Sequence, residues 1–296
     1  MPIDLTQLPP PKLVEEIDYE TLLQQRKQRL IAAMPADLRD AVAATLELES
    51  EPLTIELQEN VYTEMILRQR INEAAKASML AYATGSDLDH RAADYGVERL
   101  LVSPADPDAV PPIEAVWESD ERLRHRCQLA LEGLSVAGSR GAYLFHTLSA
   151  SADVLHARVV SPEDGLVRVY LLDRRGTGVP DQALLDTVRE ALSAETVRPL
   201  CDTVEVVPGQ PNPFVVDAAL EFEDGAAAAA GGLDAARTRL DTMLTGRLKL
   251  GGSVPRSAIY AALQTAGVSR VTLTNPVADV DCSDGQYPQA TAITLS

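Results

Sequence analysis

Apolar positions recur with helical spacing through the first third of the chain. Leu13, Ile17, Leu23, Leu30 and Met34 keep a rough helical period over 12–34, after Pro9-Pro10-Pro11 and before Pro35. A second helix is predicted from near Asp37, and a third, after Pro52, from Leu53 to Ala83. The third places Ile55, Tyr62, Met65, Ile66, Ala75, Met79 and Tyr82 on one face, with Glu56, Glu59, Arg68, Arg70 and Lys76 largely elsewhere. About 28 residues at 1.5 Å each reach roughly 40 Å. That is long for a small domain, and two readings stand: a helix packed inside its own domain, or one that bundles with another chain.

The run GSDLDHRAADYGVER, Gly85 to Arg99, reads as helix punctuation. Gly85 suits the left-handed conformation that ends a helix. Ser86 or Asp87 caps a second short helix through about Asp94, which Gly96 ends, so Asp87 and Asp89 are read as capping and solvated rather than acid/base groups. VSPADPDAVPP, Val102 to Pro112, holds four prolines in eleven residues and is expected to be a linker or surface loop.

From Glu118 the pattern alternates helix with strand. Helices are predicted at Ser119 to Leu134 and Arg140 to Ser151. VLHARVV (Val154 to Val160) and LVRVYLL (Leu166 to Leu172) form a hairpin around a Pro-Glu-Asp-Gly turn, followed by a helix at Asp181 to Ala194 and a strand at Thr203 to Val207. PGQPNP, Pro208 to Pro213, is expected to punctuate a boundary. Beyond it come a strand at Phe214 to Phe222, an alanine run at Ala226 to Ala230 open to a hinge or fraying-helix reading, and a helix to about Leu248. A helix at Pro255 to Ala266, a strand at Val268 to Thr274 and a last strand near Thr291 to Leu295 complete the pattern.

The stretches GSRGAYLFHTLSASADVLHARVVSP and GGSVPRSAIYAALQTAGVSRVTLTNP share a glycine start, a helix, a strand and a closing proline, and look like a duplicated half-unit. The expected fold class is α+β: an N-terminal helical region at 1–101, a proline-rich linker at 102–117, and two small ferredoxin-like sandwiches at 118–208 and 209–296, each with helices on one face of a short antiparallel sheet.

Composition narrows what such a chain does. With 296 residues, 26 basic against 44 acidic groups and a formal charge of −18, it is expected to repel phosphate backbones and anionic membranes unless a basic face is segregated, and arginines cluster only mildly, at Arg68 to Arg70 and Arg122 to Arg126. Aromatic content of 4% gives no stacking platform for bases. No apolar run spans a membrane, and MPIDLTQLPPPKLVEEID lacks the basic and apolar regions of a signal peptide. Cys127, Cys201 and Cys282 are too far apart for a disulfide framework or metal-ligand spacing, which suits reduced thiols in a cytoplasm.

No candidate chemistry assembles. His90, His125, His146 and His156 are scattered. GLSVA at Gly133 misses the last glycine of a nucleophile elbow, and RRGTGVPD at Arg174 lacks the lysine and third glycine of a phosphate loop, so a strand-to-helix turn explains it better. DVDCSDG at Asp279 has its glycine one position late for a calcium loop, and Ala290 stands where a bidentate glutamate is needed. Neither catalytic residues, nor a cofactor, nor a metal is predicted.

The order of these segments resembles the baseplate J-like family of contractile phage tails and R-type pyocin-like bacteriocins. The resemblance rests on Gly85, Leu88, Asp89, Gly96, Val97 and Arg99 of a G-x-x-L-D and G-V-x-R helix corner, and on E-S-D-E-x-x-R-x-R from Glu118. It continues through S-V-A-G-S-R-G-A-Y from Ser135 and VRPLCDTVEV from Val197. It implies a structural, non-enzymatic wedge protein with two copies per wedge, in a ring around a sixfold hub, that couples baseplate change to sheath contraction. Implied partners are a second copy of the chain, another wedge protein, the sheath initiator and the hub and spike, with no nucleic acid and no membrane insertion. The implied location is the tail particle, assembled in the host cytoplasm. Ile55, Tyr62, Met65, Ile66, Met79 and Tyr82 are the expected partner interface. A different class, a soluble enzyme or regulator whose ferredoxin-like domains bind a small ligand, is the alternative.

Overall fold

The computed structural model describes residues 5, 8, 9, 11–135, 138–223 and 231–296. The alanine run at 226–230 and part of the N-terminal proline segment lie outside them. The described residues divide between Gly96 and Val97 into two compact units.

The first unit is helical, but its first helix begins at Tyr19 rather than near residue 12, because residues 12–18 form turns and extended chain up to the Asp18 cap. Helix α1 (Tyr19–Ala33) starts at Asp18, whose side chain accepts the Thr21 amide at 2.7 Å. Helices α2 (Arg39–Thr45) and α3 (Pro52–Ala77) follow, the latter with Pro52 in its first turn, where a missing N–H costs nothing. Helix α1 packs on α3 through Leu22, Leu23 and Val61, with Ile17, Tyr19, Leu57 and Met65 around them. Glu64 of α3 accepts Nε of Arg26 at 2.9 Å and Nε of Arg68 at 3.0 Å, and its pKa is held down chiefly by the Arg26 hydrogen bond. The buried Asn72 side chain exchanges two bonds, at 3.0 and 2.8 Å, with the Glu15 backbone.

Helix α3 ends at Ala77, not at Ala83. Ser78 Oγ donates to the Ala75 carbonyl at 2.7 Å, and the chain tightens into turns in which the Tyr82 and Ala83 amides both bond Met79 O. Helix α4 (Gly85–Ala93) follows. Gly85 is left-handed at φ +53°, yet it opens α4 instead of closing α3, and Thr84 holds the N-cap position expected for Ser86 or Asp87. Gly96, at φ +66°, follows the end of α4 as its position predicts.

The second unit begins with strands β1 (Leu101–Ser103) and β2 (Val116–Trp117), paired antiparallel. Helices α5 (Asp120–Gly133) and α6 (Arg140–Ala150) lead to the hairpin β3 (Val154–Glu163) and β4 (Leu166–Asp173), then α7 (Gln182–Ser193) and β5 (Thr203–Pro208). Strand β6 (Gln210–Phe222), α8 (Gly232–Gly246), β7 (Ser253–Val254), α9 (Arg256–Leu263), β8 (Val268–Asn275), β9 (Val280–Asp281) and β10 (Gln286–Leu295) complete it.

The architecture is α+β, but the sheets are mixed rather than antiparallel. The orders are β3-β4-β5 and β10-β6-β8. In the first, β4 runs antiparallel to β3 and parallel to β5; in the second, β6 runs antiparallel to β8 and parallel to β10. Helix α7 supplies the crossover that a parallel pair requires. The first sheet, built as α6-β3-β4-α7-β5, is the ferredoxin-like arrangement short of its first strand, so its central strand takes a parallel neighbour directly; in the second sheet the central strand comes first in the chain and its parallel neighbour β10 last, which is a different connectivity from the one expected. The duplicated half-units are α6-β3 and α9-β8: each begins at a left-handed glycine, Gly138 or Gly251, and delivers an edge strand antiparallel to the sheet centre.

Two expected breaks are ordered backbone. The proline-rich stretch after Leu101 is a hairpin, with Ser103 opposite Val116 and Asp106 bridged to Ile113. The segment 208–213 is no linker, since Gly209 alone separates β5 from β6, and Gln210 to Pro213 pair with Gln286 to Gln289. The Gln210 amide points to β10, donating to Gly285 O at 2.8 Å, so Pro211 and Pro213 turn their missing N–H groups to the other side, where β8 pairs only from Asp217.

The two sheets have separate cores, one centred on Tyr143, Val169, Leu171 and Val188, the other on Ala218, Leu240, Ile259 and Leu263. A third cluster of Leu172, Leu250 and Tyr287, flanked by Tyr170 and Leu248, joins them. Tyr287 donates to Thr177 O at 2.8 Å, and the Leu250 amide donates to Nδ1 of His156 at 3.3 Å.

Candidate interface and buried ion network

The six residues expected as a partner interface separate into three groups. Ile55, Tyr62 and Ile66 lie on one stripe of α3 and are 51, 56 and 52% exposed. Met65 turns inward and packs with Leu22, Leu23 and Val61. Met79 and Tyr82 are half-buried in the turns after Ala77 and do not belong to the helix face. A shallow groove of about 360 Å³ runs beside the stripe, lined by Ile17, Tyr62, Met65, Ile66, Gln69 and Glu73 among others. Leu67 and Ile71, which the periodicity did not single out, are each 60% exposed on another side of α3.

Within the helix corner, Leu88 is fully buried and Val97 nearly so, while Asp89 is exposed. The division into compact units falls inside this motif, between Gly96 and Val97. Arg99, on the second unit, meets the next motif. Its Nη1 donates to Glu118 O at 2.7 Å and its Nη2 to Asp120 Oδ1 at 2.8 Å.

Glu118 organises this region. Its side chain is fully buried, accepting the Leu100 amide at 3.0 Å, Nε of Arg122 at 3.1 Å and a short bond from Arg126 Nη1. Ser119 caps α5 by accepting the Arg122 amide at 3.3 Å. Arg126 also reaches Glu98 O and Ser149 Oγ. Arg122, which the motif leaves open, donates to the carbonyls of Leu148, Ser151 and Val154 around the end of α6, and burial lowers its pKa. Arginine suits both places because its planar fork satisfies several acceptors at once. A buried carboxylate facing several carbonyls leaves no periodic trace in sequence.

The other two motif segments also meet each other. Tyr143 of S-V-A-G-S-R-G-A-Y donates to Asp202 of VRPLCDTVEV at 2.8 Å, and burial, then Asp202, raises its pKa. A Cβ at Gly138 would stand 2.8 Å from Pro199 and 2.7 Å from the Asp202 carboxylate, so the left-handed glycine permits the approach.

The sites weighed for chemistry have structural partners. Arg175 of RRGTGVPD pairs with Asp173 and Asp181, and Asp181 caps α7 through the Leu184 amide. Asp279 accepts the Arg256 amide at the start of α9, and Asp284 pairs with Arg158. Burial pushes the Cys127 thiol up to about 11 and His156 down to about 4. Among the described residues no cluster of histidine, cysteine and acidic side chains is arranged to hold a metal, and no helix is long and apolar enough to cross a membrane.

This arrangement, a helical unit followed by two fused three-stranded half-sandwiches, coincides with three family models in chain order. They are the Baseplate J-like N-terminal domain at 49–106, the Baseplate J-like central domain at 135–208 and the Baseplate J-like protein C-terminal domain at 215–296. The chain belongs to the baseplate J-like family. Baseplate protein J of Escherichia phage P2 is 47% identical to it over 278 residues, 94% of this chain and 92% of that protein.

Proposed function

We propose that the chain is a structural baseplate protein of a contractile tail and acts in its wedge, with two copies per wedge around a sixfold hub. The observation that carries the wedge reading is the exposed apolar stripe of Ile55, Tyr62 and Ile66 on a 26-residue helix. Its inward face is already occupied by α1, so the stripe remains for a second copy or another wedge protein to cover. The second unit supplies ring contacts to neighbouring wedges, the sheath initiator and the hub. The family motifs support a structural role without an enzyme activity or cofactor, because their polar residues are spent on helix ends and buried ion pairs. Coupling of baseplate change to sheath contraction belongs to this reading, as does assembly of the particle in the host cytoplasm.

The test is deletion of the gene in the producing cell, induction, and negative-stain electron microscopy of the lysate. Loss of complete sheathed tails, restored by the gene in trans, is expected. Normal contractile tails without the gene refute the reading. An Ile66→Asp copy separates the stripe from mere presence of the chain: it should fold but fail to restore tails.

A further inference from the structure

The hairpin from Leu101 to Trp117 displays Leu101, Val110, Ile113, Val116 and Trp117 to solvent, with Val110 99% exposed and Trp117 52% exposed. Single exposed apolar residues are ordinary, but five on one short hairpin are a dense set of exposed apolar side chains, with Leu101 and Trp117 on one face of the ladder and Val116 on the other. Leu101 lies directly opposite Trp117 in the ladder, so their side chains are neighbours.

The hairpin is held in shape before any partner arrives. Asp106 and Ile113 exchange both backbone hydrogen bonds at 2.9 Å, and the Glu118 amide donates to Leu100 O at 2.9 Å at its base. Buried Glu118 clamps the same end by accepting the Leu100 amide. Pro104, Pro107, Pro111 and Pro112 fix φ along the loop. A preformed element loses little conformational entropy on docking.

Its charge is one-sided. Between Leu101 and Trp117 stand Asp106, Asp108 and Glu114, all exposed, with no lysine, arginine or histidine. No ion pair among the described residues engages the three carboxylates. A second copy, at a formal charge of −18, is a poor electrostatic match. We infer that the hairpin is a docking element that seats Trp117 and its apolar neighbours in a socket rimmed by basic side chains on a different protein of the particle. Tryptophan is the side chain best suited to anchor such a contact. The inference rests on the baseplate reading and adds to it the site and chemistry of one partner contact.

The test is hydroxyl-radical labelling of the free chain and of purified intact tails, read by mass spectrometry. Trp117 is the sole tryptophan, so its oxidation is assigned without ambiguity. Labelling of Trp117, Val110 and Ile113 should be strong in the free chain and several-fold weaker in tails. A photo-crosslinker at Val110 should then join the hairpin to a basic surface of another tail protein. The combined Asp108→Lys, Glu114→Lys variant, which leaves the Asp106 side chain and its bond to the Asp108 amide in place, should keep the circular dichroism and melting temperature of the parent but fail to restore tails.

Equal labelling in tails and free chain overturns the inference, as does restoration of tails by the charge-reversed variant. Cross-linking to a second copy, to an acidic surface or to lipid overturns the stated partner. Absence of the chain from purified tails overturns the baseplate reading and this inference together, whereas its presence with an unprotected hairpin overturns the inference alone.

Discussion

Replacing Glu118 by alanine removes a carboxylate on which the Leu100 amide, Arg122 and Arg126 converge. The Glu118 and Arg126 side chains are 0% and 4% exposed, so water cannot replace the lost partner. Breaking a buried pair from one side costs about 3–5 kcal/mol. The hydrogen bonds lead to a similar figure: two charge-assisted bonds at about 1.5–3 kcal/mol each, plus an orphaned amide at about 1–3. Part of that is offset because Arg122 keeps the carbonyls of Leu148, Ser151 and Val154, and Arg126 keeps Glu98 O and Ser149 Oγ. The net expectation is about 4 kcal/mol, a large share of the roughly 5–15 kcal/mol that stabilises a folded domain.

The assay is urea denaturation followed by circular dichroism, with the change taken from the midpoint at constant slope. Glu118→Gln should cost less than alanine, because its amide oxygen still accepts the Leu100 N–H. A Glu118→Met, Arg126→Met double variant should be less destabilised than the sum of its singles, since apolar side chains of similar volume tolerate the dry site. A single-variant cost below about 1 kcal/mol, or strict additivity in the double, would refute the claim that these charges depend on each other.

Protonating His156 should destabilise the fold in acid. Its folded pKa of about 4 lies below the ordinary value of 6.5, so the unfolded chain binds the proton more tightly, and stability falls as pH drops from about 6.5 to 4. The loss is at most about 3 kcal/mol, and pH-dependent melts of His156→Gln should lack it. Tyr287→Phe deletes the bond to Thr177 O and should cost about 1 kcal/mol in a urea melt, whereas Tyr287→Ala should cost about 3–5 by opening a cavity. Gly209→Ala should destabilise both sheets together, because its Cβ would stand 2.8 Å from Leu171 O; two separated unfolding transitions in the parent chain would contradict this. Ile66→Asp, on an exposed stripe, should leave the midpoint within about 0.5 kcal/mol of the parent while abolishing tail assembly.

Where a local rule decides an element, the sequence was legible. Ser119, Ser139 and Asp181 each cap a helix with their own side chain where the helix was expected to begin, and the β3-β4 hairpin follows its alternation and Gly165 turn; the start of α1 was missed, because Leu13 and Ile17 keep the helical period ahead of the Asp18 cap. The elements that escaped are decided by distant partners. Strands β2, β7 and β9 are two residues long, too short for alternation to register, and exist because each meets a strand from elsewhere in the chain. The end of α3 escaped because MLAYA keeps the helical pattern beyond Ala77, while the Ser78 hydroxyl competes for a backbone carbonyl. The prolines at 208–213 and 102–112 misled for a common reason. Proline breaks a ladder only where its N–H is needed, and an edge or a hairpin tip does not need it.

That last point bears on where the second unit can bend. If 208–213 were a linker, the two half-sandwiches would pivot about it. Instead Gln210 to Pro213 are paired with β10, and Leu172, Leu250 and Tyr287, all nearly inaccessible to water, lie between the halves. Separating them exposes three large side chains at about 1.5–3 kcal/mol each and breaks several ladder bonds. That approaches the whole stability of a domain. The hairpin at 101–117 is no freer, since Glu118, Arg99 and Arg126 tie its base to the start of α5 and the end of α6. Residues 208–213 and 101–117 therefore act as rigid parts of residues 97–296 and not as pivots within them.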